Sequence, residues 1–149
     1  MKLLYNLAKN NDYNTFKNAL MDEVGIGKWL QIKSVLSATE TGKYNRVLRL
    51  CADVYASYSV YDVTFEMLKV PNKKGYIVEA RQMAMYLLKR YTTLGWSEIG
   101  RDIFFKDHAT VMHAHKTIKF RIDTDQLLIP MDVFEQLKKD ALNILDNES

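Results

Sequence analysis

The stretch KDHATVMHAHK, residues 106 to 116, gathers three histidines, two lysines, an aspartate and a threonine. Three chemistries are open to such a cluster: metal ligation, acid–base catalysis, or contact with a charged partner. His108, His113 and His115 stand five and two residues apart. Two helical histidines that share a metal favour a spacing of four, so these do not stack on one face. No metal is expected. Asp107 and His108 are sequence neighbours, and neighbours on a helix point about 100° apart, which is poor geometry for an acid–base pair. No serine or cysteine occupies a nucleophile elbow beside them. VGIGKW at 24–29 has a lysine after a glycine but lacks the G-x-x-x-x-G-K-[ST] spacing that cradles phosphates. The chain is therefore expected to be non-enzymatic and to need no cofactor.

The elements that would position this cluster read almost entirely as helix. Val47, Cys51, Val54, Tyr55 and Tyr58 recur at steps of three and four. VTFEMLK predicts a short helix capped by Thr64, with Phe65 and Leu68 inward. Pro71, Asn72 and Gly75 then mark a loop. ARQMAMYLLKRYTTL sets Ala84, Leu87, Leu88 and Tyr91 on one side, with Gly95 as its stop. SEIGRDI predicts a short helix capped by Ser97. Asp107 can cap the next helix, whose inward stripe is Val111, Ala114, His115, Ile118 and Ile122. Its polar first turns point outward, with His108, Ala109, Thr110, His113, Lys116 and Phe120 facing away or to the flanks. A last helix runs from Met131 to Leu145 with Phe134, Leu137, Ala141, Ile144 and Leu145 on one side. Before residue 43 the signals are weaker: DYNTFKNALMDEV and KWLQIKSVLSATE each read as helix, and TGK at 41–43 reads as a seam. The division expected is an N-terminal helical extension, 1–42, followed by a helical domain, 43–149.

Length and composition suit one globular domain, or one domain with an appendage: 149 residues, 48% hydrophobic, with only six glycines and two prolines, which argues against a β-sandwich. No apolar run approaches the roughly 18 residues that span a bilayer. Cys51 is alone, so no internal disulfide can form, and a reducing cytoplasm is the simplest expectation. The net charge of +3 is unevenly spread: residues 43–121 hold fourteen Lys/Arg against seven Asp/Glu, and 122–149 hold two against seven. A basic middle suits a phosphate-bearing partner. A short helix, a turn and a second helix with a polar N-terminal end make a helix-turn-helix, whose first turns can reach base edges in a major groove. Lys73, Lys74, Arg81, Lys89, Arg90, Arg101, Lys106, Lys116 and Lys119 are the candidates for gripping phosphates.

ARQMAMYLL, SEIG and DHATVMHAHKTI, in that order, resemble the C-terminal DNA-binding domain of DnaA, the bacterial replication initiator. That family carries an Arg-Gln-hydrophobic-Ala-Met helix, a Glu-Ile-Gly helical turn and, six residues on, Asp-His-Thr/Ser-Thr-Val. Arg81–Leu87, Glu98–Gly100 and Asp107–Val111 fall at these intervals, and the resemblance covers about residues 45–121. It implies an all-α helical bundle with a helix-turn-helix, plus the extra N-terminal helices. It also implies double-stranded DNA as partner and a short DnaA-box-like site in replication initiation or its regulation. Asp107, His108 and Thr110 would meet base edges, with Ala109 and His113 completing the reading set. Arg81 and the Lys73–Lys74 loop would approach the backbone or minor groove. Lys106 and Lys116 would hold phosphates, while Lys89, Arg101 and Lys119 are backbone candidates by their charge alone.

Three departures stand out. Ala109 replaces the family's Thr or Ser, leaving an alanine that can still touch a thymine methyl. Glu79 falls in what reads as the loop before Arg81, where the family is richer in arginine, and a carboxylate there should weaken a minor-groove grip. Phe104-Phe105-Lys106 fills a turn that often contains glycine. The chain carries no Walker lysine motif, so ATP-driven filament formation is not expected of it. The alternative is a protein-interaction module on a degenerate helix-turn-helix scaffold, docking to replication proteins. A monomer or weak homodimer is the expected unit.

Overall fold

The computed structural model describes residues 41–147. The two helices expected ahead of residue 41 lie outside the described residues. Five helical elements follow in order: α1 (Thr41–Ala56), α2 (Gly75–Tyr91), α3 (Trp96–Glu98), α4 (His108–Asp123) and α5 (Met131–Asn147). α3 runs without a break into a π-helical turn, Ile99–Phe104, and a 3-10 turn, Glu66–Lys69, lies between α1 and α2. The described residues contain no strand, and their fold is all-α.

α2 is the axis of the bundle. Its residues Met83, Ala84, Met85, Tyr86, Leu87 and Leu88 are buried one after another. A stripe on one side only would leave half of them in water. Here α1, α4 and α5 all pack against α2, so apolar residues face inward from every side. Against it α1 contributes Val47, Leu48, Cys51, Ala52 and Tyr55, and α5 contributes Phe134, Leu137, Ala141 and Leu145. The outer residues of the expected stripes fare differently: Val54 and Ile144 are half-buried and Tyr58 is exposed. α1 begins at Thr41, so the Thr41-Gly42-Lys43 stretch belongs to that helix.

Two predicted helix ends move. Thr92 stops α2: its N–H and its hydroxyl both donate to the Leu88 carbonyl, at 3.1 and 2.5 Å. Gly95, expected as that stop, has an ordinary φ of −79° and instead starts α3. Ser97, expected as the α3 cap, lies inside the helix, because the Glu98 carboxylate reaches back to the Gly95 N–H at 3.0 Å. The 3-10 turn starts one residue later than expected: Phe65 stands at its N-cap without a side-chain cap bond, and Thr64, the expected cap, only accepts the Met67 N–H on its Oγ1 at 3.4 Å.

The largest revision concerns Glu79. α2 begins at Gly75, so Glu79 is helical and has no exposed surface. Its carboxylate accepts from the Tyr55 hydroxyl at 2.6 Å, the Leu128 N–H at 2.8 Å and the Arg121 guanidinium at 2.5 Å. Burial pushes the Tyr55 phenol up, and the Glu79 charge adds to that, so the phenol stays protonated and donates. A buried carboxylate is tolerated when donors satisfy it, and three do so here. Glu79 thus faces inward and ties α1, α2, α4 and the α4–α5 connection at one point. It is a structural tie, remote from the role expected of a loop carboxylate.

Candidate nucleic-acid interface

The π turn, the residues after it and α4 form the helix-turn-helix. Its tightness rests on Gly100, where an added Cβ would stand 2.6 Å from the Lys106 carbonyl oxygen and 2.9 Å from that of Asp107. The Lys106 N–H closes the turn by donating to the Gly100 carbonyl at 2.8 Å. Phe105 takes the left-handed conformation that the reversal demands, φ 57° and ψ 40°. That costs a non-glycine residue about 1–2 kcal/mol. Phe104, by contrast, is wholly in the core. The two phenylalanines therefore part company, one packing and one turning the chain.

Asp107 caps α4 as its type predicts. Its Oδ1 accepts the Thr110 N–H at 3.0 Å and the Thr110 hydroxyl at 3.1 Å. Two expected base readers are thereby held against one another in a fixed pose. His108, Ala109, Thr110, Met112, His113 and Lys116 are exposed, while Val111, Ala114 and Ile118 are buried behind them. His113 Nε2 lies 3.5 Å from the Thr117 hydroxyl. His115 leaves this set as expected. It sits half-buried between Tyr86 and Trp96, at ring-centre distances of 5.0 and 5.4 Å. Burial lowers its pKa, and Arg90, Lys119 and Lys89 push it the same way.

The expected phosphate grips divide into groups. Lys116 and Lys119 are exposed on α4, and Lys73 and Lys74 are exposed on the loop before α2. That loop is braced, because Asn72 Oδ1 accepts the Lys74 N–H at 2.8 Å, and the Lys74 ammonium stands 4.0 Å over the Tyr61 ring. Arg81 is half-buried, with Nε donating to the Leu68 carbonyl at 2.8 Å and Nη2 to those of Val70 at 2.5 Å and Met67 at 3.4 Å. It fastens the segment ahead of the loop to α2. Lys106 lies near it: burial lowers the Lys106 pKa, the Arg81 charge adds to this, and Asp107 opposes it. Lys89 bends inward, 3.3 Å from the Leu94 carbonyl and 4.6 Å over the Trp96 ring. Arg101 is exposed and pairs with Asp102 at 3.1 Å.

Residues 57–118 match the bacterial DnaA protein helix-turn-helix. The resemblance first seen in three short motifs thus holds over the whole unit built by α2, α3 and the first two-thirds of α4. Chromosomal replication initiator proteins DnaA are similar over 66 to 75 residues of the chain. That of Bacteroides thetaiotaomicron is 44% identical over 66 residues, 44% of this chain and 14% of its own length. That of Flavobacterium psychrophilum is 41% identical over 66 residues, again 44% and 14%. That of Latilactobacillus sakei is 43% identical over 75 residues, 50% of this chain and 16% of the relative. The chain therefore spans about one-seventh of the DnaA proteins it matches.

Among the described residues, no group of three or more His, Cys, Asp or Glu could hold a metal ion, and no helix is long and apolar enough to cross a membrane. Sequence reasoning overlooked Met112, 44% exposed in the middle of the polar face. Its signal was available, since it stands four residues after His108 and four before Lys116. It also overlooked Gly100 as the contact that sets the turn.

Proposed function

We propose that this chain binds double-stranded DNA through its DnaA-type helix-turn-helix, in replication initiation or its regulation, by occupancy and without catalysis. The observation that carries the reading is the first turn of α4. Asp107, His108, Ala109 and Thr110 stand exposed there, on a helix start fixed by a cap and by a turn that leaves no room for a Cβ at position 100 unless the backbone shifts. Inserted in a major groove, this turn would put His108 and Thr110 at base edges and Ala109 against a thymine methyl. Lys116, Lys119, Lys73 and Lys74 would supply the salt-dependent grip on phosphates. The expected site is DnaA-box-like, with its preference shifted where Ala109 removes a hydroxyl. Arg81 enters the reading with a changed role: its three carbonyl bonds present the Lys73–Lys74 loop, and the loop makes the backbone approach.

The test is fluorescence anisotropy of the purified protein on a labelled initiator-box duplex and on a scrambled duplex across a salt series. Tight binding to the box alone supports a sequence reader. Equal, steeply salt-dependent binding to both would mean phosphate contacts only, or another box to be selected from random DNA. A second reading, a docking module for replication proteins, draws on Ala109 and on the commitment of Arg81 to carbonyls. Absence of binding to either duplex, and to selected DNA, would favour it.

A further inference from the structure

We infer that Met112 is a sequence-determining residue of the interface, reading the 5-methyl group of one thymine. The inference rests on the DNA-binding reading above and adds a contact to it. α4 has a complete inner face without Met112, since Val111, Ala114 and Ile118 are wholly or almost wholly buried. Yet Met112 is 44% exposed, a long apolar side chain held in water on the second turn of the helix. Residues four apart on a helix lie almost above one another, so Met112 follows His108 along one line and leads on to Lys116. Its neighbours on the other side of that face, Ala109 and His113, are exposed too. The side chain is therefore surrounded by the groups proposed to meet the groove.

The chemistry narrows what it can read. A thioether has no hydrogen to donate and accepts weakly, so it cannot serve the amino or carbonyl groups of the base edges. The one apolar feature in the major groove is the thymine methyl, and a flexible, polarisable side chain fits a small apolar target well. Ala109 can touch such a methyl only at short range, whereas Met112, one turn deeper along α4, reaches further with three rotatable bonds. The two side chains would therefore answer to different thymines.

The test uses the full chain and a duplex selected from random DNA by this protein. Each thymine in the selected site is replaced singly by uracil, which deletes only the methyl group. Wild-type protein is expected to lose about threefold to fivefold in affinity at one or two of these positions, the worth of one buried methyl-sized group. In the Met112→Ala variant the loss at one position should vanish, while that at any thymine read by Ala109 persists. Circular dichroism and a urea midpoint on Met112→Ala guard against a folding effect, which this exposed site should not produce. Uracil sensitivity unchanged by Met112→Ala would overturn the inference, as would a selected site with no methyl-sensitive thymine. Failure to select any DNA would instead overturn the DNA-binding reading, so the two failures are separable.

Discussion

At the scale of single residues, the exposed face of α4 separates two kinds of work. On the proposed reading His108 discriminates bases, so His108→Ala should cost roughly 1–3 kcal/mol on the cognate site and barely change binding to scrambled DNA. Lys116 stands in line with it two turns on, where a phosphate contact carries no sequence information. Lys116→Ala should weaken all duplexes alike and lower the salt slope by about one unit, read from the anisotropy series. His115 makes a different prediction. Its folded pKa lies below the ordinary 6.5, so the unfolded chain binds more protons just below that value. Stability should be full above about pH 6.5 and fall as pH drops toward the folded pKa. Urea midpoints from pH 8 to 5 would follow this, and His115→Gln should remove the part of the slope that lies below 6.5. The polar character of this face was legible because helical spacing alone sorts Val111, Ala114 and Ile118 from the rest. The exposure of Met112 was legible from the same spacing, and only its apolar type, which points toward a core, obscured it.

At the scale of elements, the turn between α3 and α4 is the demanding piece of geometry. A Cβ at residue 100 would press on two carbonyl oxygens at less than 3.0 Å. Gly100→Ala should therefore destabilise the fold by about 1–3 kcal/mol, the usual range for forced overpacking. It should also shift the start of α4, so sequence discrimination ought to fall further than stability does. Phe105 offers the complementary experiment. A β-branched residue tolerates φ of 57° worse than phenylalanine, and glycine tolerates it freely. Phe105→Val should thus be the less stable of the pair Phe105→Val and Phe105→Gly in thermal melts. The Glu-Ile-Gly motif could be recognised from sequence, but its reason could not, because the partner of Gly100 is a carbonyl six residues on. The misplaced ends of α2 and α3 have a similar cause. Thr92 closes one helix through its own hydroxyl and Glu98 opens the other, so Gly95 and Ser97, the residue types that usually punctuate, were not needed for those roles.

At the scale of the whole molecule, the central fact is that α2 is wrapped by three helices and pinned by one carboxylate. Glu79→Ala would strand the Arg121 guanidinium, the Tyr55 hydroxyl and the Leu128 N–H. Breaking a buried pair in this way typically costs about 3–5 kcal/mol, which a urea titration would register as a marked drop in midpoint. Glu79→Gln keeps the shape and part of the hydrogen bonding, and should cost clearly less. The all-helical fold and the helix-turn-helix were legible from periodicity and three spaced motifs. The role of Glu79 was hidden because its three partners lie 24, 42 and 49 residues away in sequence. A lone carboxylate beside a basic loop looks like a surface charge until the fold closes over it.

The same tie makes the bundle a path for mechanical load. Residues 1–40 join it at the start of α1, and α1 is fastened to α4 through Tyr55, Glu79 and Arg121. A pull on that N-terminal segment would therefore be carried across the bundle to α4 by charged and neutral hydrogen bonds in series, instead of being spent in bending the α1–α2 connection. A protein clamped to DNA by α4 would so hold whatever is attached ahead of Thr41 on a stiff mount.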